Sequence, residues 1–172
     1  KPKNIMSDAL IGLPIERIGI NSTTHLGFLT TINQQDKIVA LSNKSLYYDA
    51  TFQKRIKNGL VEELGNRTLN KEKLIASELD VLFTFAIDAA SHEAVNELRA
   101  LGQSVVLISE FNESHPIDKA KWLEVFAAFF NEDVQEDAAT KLKEIESRYD
   151  SIKQEAALYS YLPEVMIGLP WK

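Results

Sequence analysis

Residues 134–159 read VQEDAATKLKEIESRYDSIKQEAALY. The apolar positions are Val134, Ala138, Leu142, Ile145, Tyr149, Ile152, Ala156 and Tyr159, and the steps between them alternate between three and four. That spacing puts them in one stripe along an α-helix. Almost every residue between them is charged or polar, from Gln135, Glu136 and Asp137 to Lys153, Gln154 and Glu155. No Pro or Gly interrupts Val134 to Leu158, so the stretch predicts a single rod about 37 Å long at 1.5 Å per residue. A stripe this narrow also fits one strand of a coiled coil. Yet it runs for only about three and a half heptads, and it has Ala and Tyr where a dimer seam favours Leu and Ile. A long helix lying across a protein surface, joining the segments on its two sides, fits better.

Just before it, Asp118 to Phe130 reads as a second helix with Trp122, Val125, Phe126, Phe129 and Phe130 on one side. Pro116 falls in the first turn, where a helix tolerates proline, and Ser114 is the expected N-cap. Further back, short apolar runs alternate with helical patterns. Arg17–Asn21 (RIGIN) and Lys37–Leu41 (KIVAL) read as strands. Between them Ser22, Thr23 and Thr24 cap a helix whose inner face is Leu26, Leu29 and Ile32. A segment from Ala50 to Lys57 stops at Asn58-Gly59. Val61–Leu64 is short and ambiguous. Asn70 caps a helix through Ser77, with Leu74 and Ile75 inward. Asp80–Ala86 (DVLFTFA) and Ser104–Ile108 (SVVLI) are apolar nearly throughout, as strands covered on both faces should be. His92–Leu101 lies between them as a helix with Val95, Leu98 and Leu101 inward, stopped at Gly102.

Strands alternating with helices predict an open α/β sheet of parallel strands with right-handed crossovers, followed by the long helix. Such sheets bind ligands outside the carboxyl ends of their strands. The expected rim is therefore Asn21–His25, Ser42–Tyr48, Ala86–Ser91 and Ser109–His115, rich in hydroxyls, amides and aromatics.

Composition narrows the function. The chain has 172 residues, 45% hydrophobic and 26% charged, ordinary values for a globular domain. A net charge of −6 argues against a phosphate-backbone partner. With no cysteine in this chain, disulfides and thiolate metal sites are excluded. No run approaches the roughly 18 apolar residues of a membrane span. The sequence contains no Walker loop, no glycine-rich dinucleotide turn and no His-Glu-x-x-His, and no Gly-x-Ser-x-Gly elbow. His25, His115 and Asp88 could converge on a metal, or each could be a polar loop residue at a helix start. Tyr47-Tyr48 could stack on a flat ligand or simply pack its loop. Trp122 reads as core. Glu110, Asn112 and Glu113 form a polar loop that could be merely exposed, and Glu72 sits in a first helical turn, where the dipole favours a carboxylate.

The ordered set of pieces resembles the helical-backbone (class III) substrate-binding proteins of ABC importers, the group that captures ferric siderophores, haem and cobalamin. The pieces are ERIGINSTTHLGFL, DKIVALSNKSLYYD, GLVEELGNRTLNKEKLIASELDVLFTF and LRALGQSVVLISEFNESHPIDKAKWLEVFAAFF, then the acidic helix. They span about Glu16 to Lys172. Gly65, Asn70, Glu72 and Asp80 match the family's Gly, Asn-x-Glu and Pro-Asp pattern, with Leu79 in place of the proline. The resemblance implies two α/β lobes joined by a rigid helix, with ligand in the cleft between them and no catalysis. On that reading residues 1–133 are the N-terminal lobe, 134–160 the linker helix and 161–172 the start of a second lobe that is cut short. The first residue, Lys1, is then read as left by processing or trimming. Expected ligand contacts from this lobe are Thr23, His25, Asn43, Tyr47, Tyr48, Asp88, Phe111 and Asn112, with no resident metal or cofactor. Glu72 would dock onto arginines of the membrane permease. The implied setting is periplasmic, or that of an exported lipoprotein. The alternatives are capture of a free metal ion within the same transporter class, and a tetrapyrrole metal chelatase with a His and an acid, His25 and Asp88 being nearest, facing each other in the cleft.

Overall fold

A computed structural model describes residues 10–65, 68–161 and 164. Five parallel strands form one sheet in the order β3-β2-β1-β4-β5. They are β1 Ile18–Ile20, β2 Ile38–Leu41, β3 Glu62–Glu63, β4 Val81–Thr84 and β5 Val105–Leu107. The helices are α1 Thr23–Thr31, α2 Ala50–Lys57, α3 Lys71–Ala76, α4 Ala89–Ala100, α5 Pro116–Ala127 and α6 Glu132–Ala156. Parallel pairing joins β1 to both β2 and β4, so the expected α/β sheet with a long following helix is what the chain forms.

Strand alternation divides the core. Ile18, Ile20, Val81 and Phe83 point to the side packed by α1, α2, α5 and the start of α6. Ala40, Leu82 and Val105 point to the side covered by Leu74 of α3 and Val95 and Leu98 of α4. Burial on both faces is why these strands carry no polar alternation. On the second side Gly19 leaves room for Leu79, since a Cβ there would lie 2.5 Å from Leu79 Cδ1. Asp80 fastens the start of β1: its Oδ2 accepts the backbone N–H groups of Glu16 at 2.7 Å and Arg17 at 2.8 Å. Gly65 has φ +133°, and a Cβ there would collide with the Thr68 carbonyl. Only glycine fits that turn, and its carbonyl accepts the Asn43 N–H at 2.7 Å.

Several local expectations are corrected. Ile75 and Leu101 are about half exposed rather than inward. Helix α4 begins at Ala89, capped by Asp88, before the expected His92. The N-cap of α5 is His115, whose Nδ1 accepts the Ile117 N–H at 3.2 Å, and not Ser114. Val125 faces outward. Trp122 packs against the core and donates its indole N–H to Glu113 at 3.0 Å.

Helix α6 has 25 residues and starts two positions earlier than Val134, with Glu132 and Asp133 in its first turn, where carboxylates suit the dipole. Its stripe is covered only in part. Ala138 and Leu142 are buried and Val134 packs against the core, whereas Ile145, Ile152, Leu158 and Tyr159 are exposed. The helix starts near the amino-terminal ends of the strands, where Phe129 O accepts the Ile15 N–H. By Tyr149 it has reached the opposite end, its ring 5.4 Å from that of His115. The remaining two turns rise about 10 Å beyond the strand ends at 1.5 Å per residue. Of the expected start of a second lobe at 161–172, all but Tyr161 and Glu164 lies outside the described residues. Among the described residues no helix is long and apolar enough to cross a membrane.

Candidate functional site

The chain leaves β1 toward β2 on one side, whereas β4 lies on the other. The carboxyl ends of β1 and β4 therefore flank the point where strand order reverses, the usual ligand crevice of an open α/β sheet. Asn21 holds that point closed at its base, donating from Nδ2 to Thr84 Oγ1 at 3.0 Å and from its backbone N–H to Phe83 O. Ser22 then caps α1, its Oγ accepting the Thr24 N–H at 3.3 Å.

Two concavities open on either side of α1. One, of about 400 Å³, is lined by Thr24, Gly27, Phe28, Thr31, Glu110, Phe111 and Lys119. The other, of about 460 Å³, is lined by Thr23, Leu26, Thr30, Leu46, Tyr47, Tyr48 and Asp49. Gly27 belongs to both, and nothing lies within 4 Å of where its Cβ would be. The floor and walls are apolar and aromatic. Phe28 stacks on Phe126 with centroids 5.1 Å apart, Phe85 meets Phe111 edge-on at 6.3 Å, and Tyr48 is 85% exposed. Volumes of this size and a mostly apolar lining with a few polar groups suit a small-molecule site.

The rim is also polar at one deep point. Thr24 Oγ1 donates to Glu110 Oε1 at 2.6 Å. Glu110 is 5% exposed, and its Oε2 is buried with no hydrogen-bond partner.

The expected contact residues fall into three groups. Thr23, Tyr47 and Tyr48 line one concavity, Phe111 lines the other, and Asn112 is on the turn beside Phe111. Asn43 and Asp88 are on the rim but serve the backbone. Asn43 adopts φ +38° and accepts from Ser45. Asp88 caps α4 by accepting the Ser91 N–H at 2.8 Å. Hydrogen bonds from the Ser91 hydroxyl and backbone hold its carboxyl below the ordinary range.

His25 is a correction, in the core rather than on the rim surface, whereas Tyr47, though 1% exposed, still lines the concavity beside Tyr48. His25 is the third residue of α1 and packs against Phe126 at 5.8 Å. Desolvation lowers its pKa to about 4, and the Phe83 backbone offsets part of this. Tyr47 packs on Phe52 at 6.0 Å, and burial pushes its hydroxyl up to about 12. With His25 inside, the metal reading of His25, His115 and Asp88 loses its geometry, and His115 instead caps α5 beside Tyr149. Among the described residues no three His, Asp or Glu side chains gather as a metal site. The chelatase reading loses its His–acid pair for the same reason.

Glu72 stands in the first turn of α3, exposed, with Asn70 as the cap. Its neighbours are engaged elsewhere, Lys71 with Glu97 and Lys73 with Glu62, and Glu72 makes no ion pair among the described residues. Thr24, Leu46 and Glu110 fall within the expected rim without having been singled out as contacts, whereas Gly27, Phe28, Asp49 and Lys119 lie outside it and were missed.

No family model matches the chain. An uncharacterised lipoprotein of Methanocaldococcus jannaschii is 23% identical over 131 residues, which cover 72% of this chain and 31% of that protein. Among solved structures, the siderophore-binding protein BauB, bound to ferric iron and two acinetobactin molecules, superposes with a TM-score of 0.65 at 17% identity. That match covers 87% of this chain and 51% of BauB. The periplasmic vitamin B12-binding protein BtuF of Vibrio cholerae gives 0.58 at 20% identity, covering 86% and 53%. The chain thus spans about a third of the curated relative and about half of each structure. The solved structures that it resembles include siderophore-binding, vitamin B12-binding and periplasmic haem-binding proteins. The resemblance seen in the sequence holds at the level of the fold.

Proposed function

We propose that this chain is the N-terminal lobe and backbone helix of an ABC-importer substrate-binding protein that captures an iron chelate, a ferric siderophore or haem, or else cobalamin, and delivers it to a membrane permease. On this reading the lobe is 1–133, the linker 134–160, and a second lobe begins at 161–172. The observation that carries the reading is the pair of concavities around α1, at the strand-order reversal, beside a helix that rises past the rim. The similarity to the structures of BauB and BtuF adds support. The lipoprotein relative supports export, to the periplasm or a membrane-anchored position. The work of such a protein is binding, without chemistry. Titrating the full-length protein with ferric siderophores, haem and cobalamin should perturb the absorption bands of one of them, and silence with all three would sink the reading.

The aromatic contacts give a sharper test. Tyr48 and Phe111 are 85% and 41% exposed and stand on opposite sides of α1. A large chelate offers a broad apolar face for such rings. Replacing both with Ala in the full-length protein should weaken binding more than tenfold, about 1.4 kcal/mol, and leave the melting temperature unchanged. Tyr47 does not belong in this test, because its loss would open the core. Equal affinity in Tyr48→Ala/Phe111→Ala protein would remove both rings from the site.

Glu72 is proposed as the permease contact. Helix α3 follows the carboxyl end of β3, so Glu72 faces the same side as the rim, at the sheet edge. A carboxylate fixed in a first turn presents both oxygens to an arginine. Glu72→Arg should leave ligand affinity and melting unchanged yet cut transport more than Glu72→Ala, because it sets like charges face to face. Normal transport by correctly localised Glu72→Arg protein would refute the assignment.

A further inference from the structure

The carboxylate of Glu110 is unusual for its position. It lines the cavity beside α1, is 5% exposed and spends only one oxygen, Oε1, on Thr24. The other oxygen is buried with no donor. A buried charge with an unmet acceptor is costly unless something supplies the missing hydrogen bond. Lys119 lines the same cavity but forms no ion pair with it among the described residues. Glu110 and Lys119 are the two charged residues that line this cavity, while Asp49 lines the concavity across α1 and Asp88 caps α4. Arginine, the usual partner of anionic ligands, is absent from the cavity among the described residues. Arg17, Arg55 and Arg99 bond near the opposite, amino-terminal ends of the strands, through Ser77 and Glu78, Ile38 and Val105. Arg148 belongs to a separate groove on α6 with Lys143, Glu144 and Ser147.

We infer that Glu110 is the specificity-determining acceptor of this lobe: when a ligand enters the cavity the side chain turns its unpaired oxygen, which has no accessible surface in the unliganded lobe, onto an N–H donor of a ligand that carries no net negative charge. Polyanionic catecholate chelates are disfavoured at this rim, whereas an ammonium-bearing hydroxamate chelate or an amide-rich corrinoid suits it. This inference rests on the binding-protein reading and narrows its ligand class. The near-isosteric Glu110→Gln separates a ligand role from a structural one. The Gln carbonyl can keep the Thr24 hydrogen bond, which turns the amide NH2 toward the ligand's own donor. Binding should then fall while the unliganded fold, relieved of a buried unpaired charge, melts no lower than wild type.

The test is a titration of the full-length protein, followed by tryptophan fluorescence, with cationic ferrioxamine B, uncharged cyanocobalamin and trianionic ferric enterobactin. Either of the first two should bind at least about tenfold tighter than ferric enterobactin, and Glu110→Gln should weaken that ligand at least about tenfold with melting unchanged or raised. Ferric enterobactin, or haem with its two propionates, binding as tightly as the others would overturn the inference and leave the binding-protein reading intact. So would Glu110→Gln that binds like wild type, or one that melts lower in proportion to its lost binding. If none of the three, nor haem, binds, the binding-protein reading itself fails and the inference falls with it.

Discussion

Phe126→Ala is expected to lower stability by about 3–5 kcal/mol, the range for removing a fully buried aromatic ring. Phe126 has no exposed surface and is the hub of the aromatic packing. Its ring lies 4.8 Å from Phe83 of β4, 5.1 Å from Phe28 of α1 and 5.8 Å from His25. The substitution would leave a void where sheet, α1 and α5 meet. Against a typical total of about 5–15 kcal/mol this is a large fraction, and melting should fall by roughly 6–20 °C. Because Phe28 also lines the cavity beside Glu110, the loss should reach ligand affinity, whereas Phe126→Leu should cost less than half as much and spare binding. A melting shift of only a degree or two in Phe126→Ala would mean that α1 is held by contacts other than this ring.

The second large effect is one of acid. His25 is buried as the neutral imidazole, with a pKa of about 4 against an ordinary 6.5. Between those values the unfolded chain binds a proton that the folded chain refuses, so unfolding gains free energy as the pH drops. The stability held above pH 6.5 is lost progressively as the pH falls toward 4. The loss reaches about 2–3 kcal/mol by pH 4.5, since each pH unit crossed between the two values costs about 1.4 kcal/mol. Carboxylates with lowered pKa, Glu62, Asp88 and Asp118, act mainly below this window, since their ordinary values are 4.5, 3.8 and 3.8. Denaturant midpoints measured from pH 7 to pH 4.5 should therefore slope downward in wild type and flatten in His25→Leu. Parallel slopes in the two proteins would show that His25 does not titrate in this range.

The same residue shows what the sequence could and could not disclose. Strands β1, β2, β4 and β5 were legible to within a residue or two, because burial on both faces leaves an uninterrupted apolar run. Strand β3 was not, since its two residues are both Glu, held by backbone pairing to Ala40 and Leu41 and by Lys73 outside the sheet. The inward position of His25 was in fact written in the spacing. His25, Leu29 and Ile32 repeat at four and three, and Leu29 and Ile32 are buried with it. The imidazole simply looked like a rim ligand after three capping residues. Tyr47 and Tyr48 had no such signal, because a loop has no period to say which ring turns in. The Thr24–Glu110 contact spans 86 positions, a separation over which no local pattern carries information. The long helix was legible in length but not in coverage: one stripe of apolar residues is packed at Ala138 and Leu142 and open at Ile152 and Tyr159.

The strand order has a consequence for synthesis. The central strand, β1, is made before every other strand of the sheet, and its partner β2 follows closely, yet its other neighbour, β4, does not. Asn21 and Thr84, which join across that seam, are 63 residues apart. At roughly 5–20 residues per second the wait is about 3–13 s. Asp80, which fastens the start of β1, arrives only with the same segment. Until then the nascent chain carries a hydrophobic strand with one edge bare, the condition in which strands pair with the wrong partner. The middle of the finished sheet is thus the part of the nascent chain most in need of a chaperone's cover.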